Sequence, residues 1–233
     1  MDAFYSGHAK AVEMIRSGVI GEVQMISTSL GYYNAFDPEN RLFNPALGGG
    51  AMLDLGVYPL SLIVQLFRTA VILSAYAKKG ATGVDEHMVG IMQFQNNAIA
   101  EFSANLRAQN RNDALIIGSL GTLHIQAPIL SATTYTLTLH LVPGDGSQGE
   151  SAGVSFIKSN PYLYKATKGV RRIYSRLRPP DKIRVGFQGN GLGYEAQEVA
   201  RCLRQNQLES QVMPLDETLL IMELMDAIQQ EWA

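Results

Sequence analysis

The sequence predicts an α+β fold, a mostly antiparallel and open-faced β-sheet with helices on one face. Six short strand-like runs separated by turn residues fill the middle of the 233-residue chain, and strands with short connections pair antiparallel. Apolar residues with helical spacing lie before and after these runs, so helices can cover one sheet face. Apolar and polar residues alternate over 98–103, which indicates that the other face is more polar.

The N-terminal third predicts a helix, a strand and a second helix. Residues 8–16 have an apolar side, and residues 22–33 are the predicted strand. Residues 37–50 form a loop that ends in three glycines. The helix predicted over 51–67 contains Pro59, which lacks a backbone N–H and should kink the helix or begin a new turn.

The strand-like runs and two final helices complete the predicted order. Asn96-Asn97 separates two of the runs and is a hairpin signal. Residues 194–205 and 215–232 have helical apolar spacing, and the second helix follows Pro214, which suits a helix start. The runs cover residues 71–79, 87–94, 98–107, 113–118, 122–126 and 133–142.

Composition excludes several classes of protein. The chain is 46% hydrophobic with a net charge of -2, which excludes disorder and gives no basic field for nucleic acid. Cys202 is the single cysteine and the four histidines are scattered, so we expect no disulfide and no metal site. Residues 1–8 lack a signal-peptide pattern, and Pro59 and Arg68 interrupt the apolar stretch 55–77. We therefore expect a cytoplasmic protein.

The glycine-rich loop leads into a helix that carries a candidate acid–base pair. Asp54 and Tyr58 are four residues apart, so they share a helix face. Spacing alone favours an aspartate that caps the loop and a tyrosine that packs. The alternative is a relay in which Tyr58 exchanges a proton and Asp54 orients it. A tyrosine that acts as a base near neutral pH also needs a nearby cation.

Four stretches of sequence, in order, resemble the Gfo/Idh/MocA oxidoreductase family, and in particular its dihydrodiol-dehydrogenase-like branch. They are GGGAMLDLGVYPLSL at 48–62, Ile20-Gly21-Glu22-Val23, Thr82-Gly83-Val84-Asp85 and the segment 189–214. The resemblance covers nearly the whole chain apart from about residues 143–188. It implies that Tyr58 is the acid–base and Asp54 its helper, while hydride moves to or from a nicotinamide cofactor. It thereby reverses the interpretation that spacing alone favours.

The resemblance also points to parts that the sequence lacks. Complete members of the family begin with a Rossmann domain, followed by a Glu-Lys-Pro motif whose lysine lies at the active site. This sequence has no such motif, and its Gly-x-Gly-x-Gly run at 189–193 lacks the spacing of a dinucleotide loop. We therefore expect residues 1–233 to be a single C-terminal substrate and oligomerisation domain, inactive alone. NAD or NADP would be bound mainly by a domain that is absent here.

Three further residues are candidates for substrate binding. Arg41 and Asn44 precede the glycines, where an arginine could hold a carboxylate or polarise a hydroxyl. An ordinary surface arginine is the equal alternative. Tyr194 is a candidate from its position in the family. The implied substrate is a small sugar- or diol-like molecule with a hydroxyl or carbonyl group.

Two further interpretations concern assembly and surfaces. Sheets in this family commonly pair face to face, so the chain could instead be a non-catalytic module that dimerises or joins a full-length relative or a nucleotide-binding chain. Residues 158–184 are a basic insertion with nine Lys or Arg residues against Asp181 alone. We favour a solvated helix across the sheet for this insertion, over contact with an anionic membrane.

Overall fold

The computed structural model describes residues 10–67, 70–140, 180–186 and 192–232. Within these residues one eight-stranded sheet has the order β2-β3-β4-β1-β5-β6-β7-β8. Neighbouring strands pair antiparallel, except β1 and β4, which are parallel. The strands are β1 Val23–Gly31, β2 Ala70–Lys79, β3 Asp85–Phe94, β4 Ile99–Asn105, β5 Asp113–Gly118, β6 Gly121–Ile125, β7 Thr134–Leu139 and β8 Asp181–Arg184.

The helices precede, interrupt and follow the strands in the predicted order. Helix α1 includes residues 10–16, and α2 Val57–Leu66 is preceded by a π-helix, Met52–Gly56. Helices α3 Leu192–Arg204 and α4 Leu215–Gln230 follow the sheet. Helix α4 packs against α2 and β2. The mostly antiparallel α+β architecture predicted from the sequence is confirmed.

The main hydrophobic core lies between one face of the sheet and the helices α1, α2 and α4. Strand side chains alternate between the two faces. In β3, Met88 and Met92 are buried, whereas Val89 and Ile91 are 41% and 40% exposed. The second face is therefore uncovered by the described helices, as the alternation over 98–103 predicts.

The helix predicted over 51–67 changes type along its length. It begins as the π-helix and becomes α-helical at Val57, two residues before Pro59. A proline ring collides with the carbonyl four residues earlier in a regular α-helix. Because a π turn is wider, it shifts the Leu55 carbonyl out of the regular α-helical position. The α-helix can therefore begin at Val57 with Pro59 in its first turn.

The described part of the basic insertion is a strand and not the predicted helix. Residues 181–184 are strand β8, which pairs antiparallel with β7. An open sheet edge offers unpaired N–H and C=O groups that a strand can satisfy, so a helix is the wrong prediction there. Residues 158–179 of the insertion, and 189–191 of the later glycine run, lie outside the described residues.

One described helical stretch, Pro45–Leu66, is long and apolar enough to be considered as a membrane span. Its mean hydropathy is 1.5, and 67% of the apolar window is buried inside the protein. The burial comes from packing of α2 against the sheet and α4. A core helix has the same properties.

Candidate functional site

Two short 3₁₀-helices shape the loop that leads to the candidate site. Asn40 caps the first by accepting a hydrogen bond from Leu42 N at 2.9 Å. Asn44 caps the second by accepting one from Ala46 N at 3.0 Å. The side-chain oxygen of Asn44 thus helps to hold the loop, and its role in substrate binding stays a prediction.

The glycine-rich segment that ends this loop uses its amides internally. The N–H groups of Gly48, Gly49 and Gly50 donate to the carbonyls of Pro45, Asn44 and Leu42 at 3.3, 3.0 and 3.0 Å. A phosphate cradle needs N–H groups that are free to donate outward. The segment therefore does not fit the pyrophosphate of a dinucleotide. The described residues also include no group of three or more His, Cys, Asp or Glu that could hold a metal ion.

Arg41 and Asp54 meet across the loop and the π-helix. The guanidinium of Arg41 donates a hydrogen bond to Oδ1 of Asp54. The Arg41 side chain is 58% exposed, but that of Asp54 is only 19% exposed. The hydrogen bond to Asp54, followed by the charge of that carboxylate, raises the pKa of Arg41. The structure thus brings together two residues that sequence reasoning assigned to the site separately.

Tyr58 lies within electrostatic range of the same cluster. It is half-buried, and it interacts with Arg41 and with Tyr32, whose half-buried side chain follows β1 directly. Burial, and to a lesser extent Tyr58, raises the pKa of Tyr32. Sequence reasoning missed Tyr32 because it lies inside the predicted strand 22–33 and has no spacing relation to Tyr58.

A cation–aromatic clamp holds the chain between β1 and the first 3₁₀-helix. The Arg107 guanidinium lies 5.8 and 5.6 Å from the ring centroids of Phe36 and Phe43. It donates to Asn34 O at 3.2 Å and pairs with Glu86 at 3.5 Å. Arg41 is therefore presented to Asp54 from a loop that is fixed to β4 and β3.

Helix α3 carries Tyr194 and Cys202. Tyr194 is half-buried near the start of the helix, and its role in substrate binding stays a prediction. Cys202 is buried, as its mid-helix position predicts, and burial raises the pKa of its thiol. A protonated, buried thiol is a poor nucleophile.

A second polar cluster, the sheet-face cluster, lies on the uncovered face. Ser27 Oγ donates to Glu101 at 2.6 Å, and Arg111 donates to Ser27 Oγ at 3.3 Å. Arg111 also pairs with Asp113 at 3.3 Å, and Asp113 contacts His124 Nε2 at 2.9 Å. The residues of the sheet-face cluster are scattered along the chain, so no local sequence motif predicts it.

Comparison with known proteins assigns the family. The model of the GFO/IDH/MocA C-terminal domain matches residues 8–124. The chain belongs to the GFO/IDH/MocA family. The resemblance seen in the sequence, including that to the dihydrodiol-dehydrogenase-like branch, is confirmed.

Curated relatives of this GFO/IDH/MocA chain are sugar and diol oxidoreductases. It is 32% identical to D-xylose 1-dehydrogenase (NADP(+)) of Hypocrea jecorina, over 93% of this chain and 54% of that protein. It is 29% identical to trans-1,2-dihydrobenzene-1,2-diol dehydrogenase of Xenopus tropicalis, over 99% of this chain and 62% of that protein. The chain thus spans about half to three fifths of the relatives' length and is an oxidoreductase-family domain.

Solved structures of the family share the fold. Aldose-aldose oxidoreductase from Caulobacter crescentus, complexed with glycerol, superimposes with a TM-score of 0.71 at 18% identity, over 99% of this chain and 59% of that one. A 3-ketoreductase from Actinomadura kijaniata, with NADP and TDP-benzene, gives 0.70 at 14% identity, over 99% and 61%. The NADP belongs to the second of these structures, and at these identities both likenesses show the shared fold alone.

Proposed function

We propose that this chain is the substrate-binding and catalytic domain of an NAD(P)-dependent oxidoreductase that acts on the hydroxyl or carbonyl group of a sugar- or diol-like substrate. The observation that carries the proposal is the cluster of Tyr58, Asp54 and Arg41. The phenol lies within electrostatic range of a guanidinium that donates a hydrogen bond to a carboxylate. This is the arrangement that an acid–base tyrosine needs.

Tyr58 exchanges the proton of the substrate oxygen. Arg41 brings positive charge within electrostatic range of this hydroxyl, where it can stabilise the negative charge that develops during proton transfer. Asp54 holds the guanidinium through the hydrogen bond and limits its movement. The nicotinamide cofactor supplies the hydride chemistry, and because the Gly48–Gly50 segment does not fit its pyrophosphate, a nucleotide-binding domain would hold it.

The first consequence is that the chain alone neither binds NAD(P) tightly nor turns over. Titration of the purified chain with NADPH, followed by nicotinamide fluorescence, should show no saturation at micromolar concentrations. Micromolar binding would contradict the assignment of the cofactor to another domain.

The catalytic role of Tyr58 is tested in a fusion that supplies a cofactor domain. The nucleotide-binding domain of the Hypocrea jecorina relative is joined upstream of the full chain, and NADP reduction is measured with pentoses and diols. Tyr58→Phe should lower kcat about 10²–10⁴-fold, the usual contribution of general acid–base catalysis. Tyr76→Phe is the matched control, because Tyr76 is 71% exposed on β2. Equal rates for the two variants would refute the role.

A second candidate function is an assembly module that pairs with a second copy through the uncovered sheet face. Tyr76, Val89, Ile91 and Ile99 are 71, 41, 40 and 42% exposed on neighbouring strands. An apolar patch of this kind on a sheet face commonly marks an interface. Sedimentation of the chain would reveal a dimer. If the chain is a non-catalytic module, Tyr58→Phe should leave both that dimer and the turnover of the fusion unchanged, whereas loss of turnover supports the catalytic role.

We propose a cytoplasmic location and no membrane contact for the basic insertion 158–184. Fractionation of the source cells checks the location. Binding to anionic vesicles at low salt would contradict the second part.

A further inference from the structure

Asp85 is a buried carboxylate outside the proposed proton relay, and it contacts the start of the helix that carries the relay residues Asp54 and Tyr58. Asp85 is the first residue of β3 and is 6% exposed. Its Oδ2 accepts a hydrogen bond from the backbone N–H of Met52 at 2.7 Å. Met52 begins the π-helix that contains Asp54 and continues into the turn of Tyr58.

The first turn of this helix has no cap of its own. Ala51 occupies the capping position and makes no side-chain hydrogen bond there. The exposed N–H groups at a helix start need acceptors and favour a negative charge. Asp85, from a distant strand, supplies the acceptor that the local sequence lacks.

At Gly50 the loop comes into close contact with the same carboxyl group. A Cβ placed on Gly50 would lie 2.3 Å from Asp85 Oδ1, and the residue has a φ of +127° that side chains rarely adopt. Gly50 O in turn accepts the hydrogen bond from Asp54 N at 3.1 Å. The contacts therefore run from Asp85 through Gly50 to the backbone of Asp54.

The electrostatic surroundings of Asp85 offset its burial in part, and the pKa of its carboxyl stays raised. Burial raises the pKa of the Asp85 carboxyl, whereas the backbone N–H groups of Met52 and Ala51 and the charge of Lys79 lower it. Lys79 pairs with Asp85 in the register of β2 and β3. A buried carboxylate is costly unless such partners compensate it, so removal of the group disturbs more than one contact.

We propose that Asp85 is a positioning residue, which fixes the start of the π-helix so that Asp54 and Tyr58 keep their orientation towards Arg41. The role of the positioned residues rests on the function proposed above. The geometric part does not rest on that function, because it concerns only where Tyr58 lies.

Fluorine NMR of the chain labelled with 3-fluorotyrosine tests the geometric part. The chain has ten tyrosines, and Tyr58→Phe assigns the signal of residue 58. Asp85→Ala and Gly50→Ala should each move or broaden this signal beyond its linewidth. Asp85→Asn, which keeps an oxygen acceptor, should restore most of its position.

Two controls separate positioning from general destabilisation. Gly18→Ala strains another glycine of positive φ that has nothing within 4 Å of its Cβ position. Tyr135→Phe removes a remote buried hydroxyl, which donates to Ala132 O at 3.2 Å. Both should leave the Tyr58 signal in place. An unmoved signal in Gly50→Ala, with the protein folded, overturns the proposal even if Asp85→Ala fails to fold.

Activity of the fusion described above separates this proposal from the proposed function. Asp85→Ala should lower kcat on the order of 10–100-fold, the effect of a small misplacement, with KM changed much less. A moved Tyr58 signal together with an unaffected rate in Tyr58→Phe would support the positioning and refute the catalytic role. A lowered kcat with an unmoved signal would refute the positioning.

Discussion

The helix-borne cluster of Arg41, Asp54 and Tyr58 and the sheet-face cluster use similar residue types on different backbones. Arg41 reaches Asp54 from a loop of 3₁₀ turns, and the π-helix carries the carboxylate. In the sheet-face cluster, Asp113 is shared by Arg111 and His124 on the uncovered sheet face. Both clusters pair an arginine with an aspartate. A tyrosine lies within electrostatic range of the first pair, whereas the aspartate of the second pair also contacts a histidine.

The comparison teaches that the two clusters differ chiefly in the backbone contacts that support them. Around the helix-borne cluster, left-handed Gly48, asparagine caps and the Asp85 contact hold an irregular chain. Irregular backbone of this kind has a conformational cost and is common at functional sites. In the sheet-face cluster, strand register places Ser27, Glu101 and Asp113, and Arg111 joins them from the loop before β5.

The largest expected effect is a loss of stability on removal of the Phe43 side chain, which anchors the loop of the helix-borne cluster. Phe43 is fully buried against Phe36 and Arg107, so Phe43→Ala should lower the free energy of unfolding by about 3–5 kcal/mol. Urea denaturation measures this change. Phe36→Ala is the control, because Phe36 is 41% exposed. An equal loss in the two variants would mean that the clamp is not organised around Phe43.

The next effect concerns the sheet face. In a symmetric dimer Ile91→Lys buries a charge in each copy, so it should raise the dimer dissociation constant at least about tenfold, for a cost of about 1.4 kcal/mol. Sedimentation equilibrium measures it. Leu120→Lys changes an equally exposed residue, 44%, in the β5–β6 turn and should leave association unchanged. If both variants dimerise like the parent chain, the uncovered face is not the interface.

A smaller effect on stability is expected from the ion pair itself. Because Arg41 is 58% exposed, solvent screens the pair, and a double-mutant cycle of Arg41→Ala and Asp54→Ala should give a coupling of about 0.2–1 kcal/mol. The same two variants should also lower kcat of the fusion, and the resulting change in activation free energy should exceed the change in the free energy of unfolding. A large coupling with unchanged kcat would make the pair structural.

The smallest effect is a pH dependence far from both clusters. Hydrogen bonds, first from Arg201 and then from Ser210, hold the pKa of Glu198 at about 2, below its ordinary 4.5. The lowered pKa means that the pair stabilises the folded chain above pH 4.5, and this stabilisation is lost as pH falls towards 2. Glu198→Gln should therefore differ from the parent chain at pH 7 and converge with it in acid, as urea midpoints would measure. Glu195→Gln, an exposed change on the same helix, should show no such convergence.

The sequence predicted the parts of the structure that depend on local pattern. Strand alternation, the Asn96-Asn97 turn and the spacing of Asp54 and Tyr58 are local, so the sheet and the helix-borne pair could be foreseen. Tyr32 and Asp85 reach the helix only through the sheet, and no spacing marks them. Strand β8 forms because the edge of β7 is free to pair with it. The basic composition of residues 158–184 does not reveal that such an edge is present.

The parallel pairing of β1 with β4 has a consequence for synthesis on the ribosome. Ser27 of β1 bonds to Glu101, 74 residues later, and Thr28 to Asp113, 85 residues later. The hairpins of β2–β3–β4 and of β5–β6–β7 join strands that are adjacent in sequence, so they can close first. Strand β1 leaves the ribosome before either of its partner strands and waits with both edges unpaired, a state that is prone to aggregation.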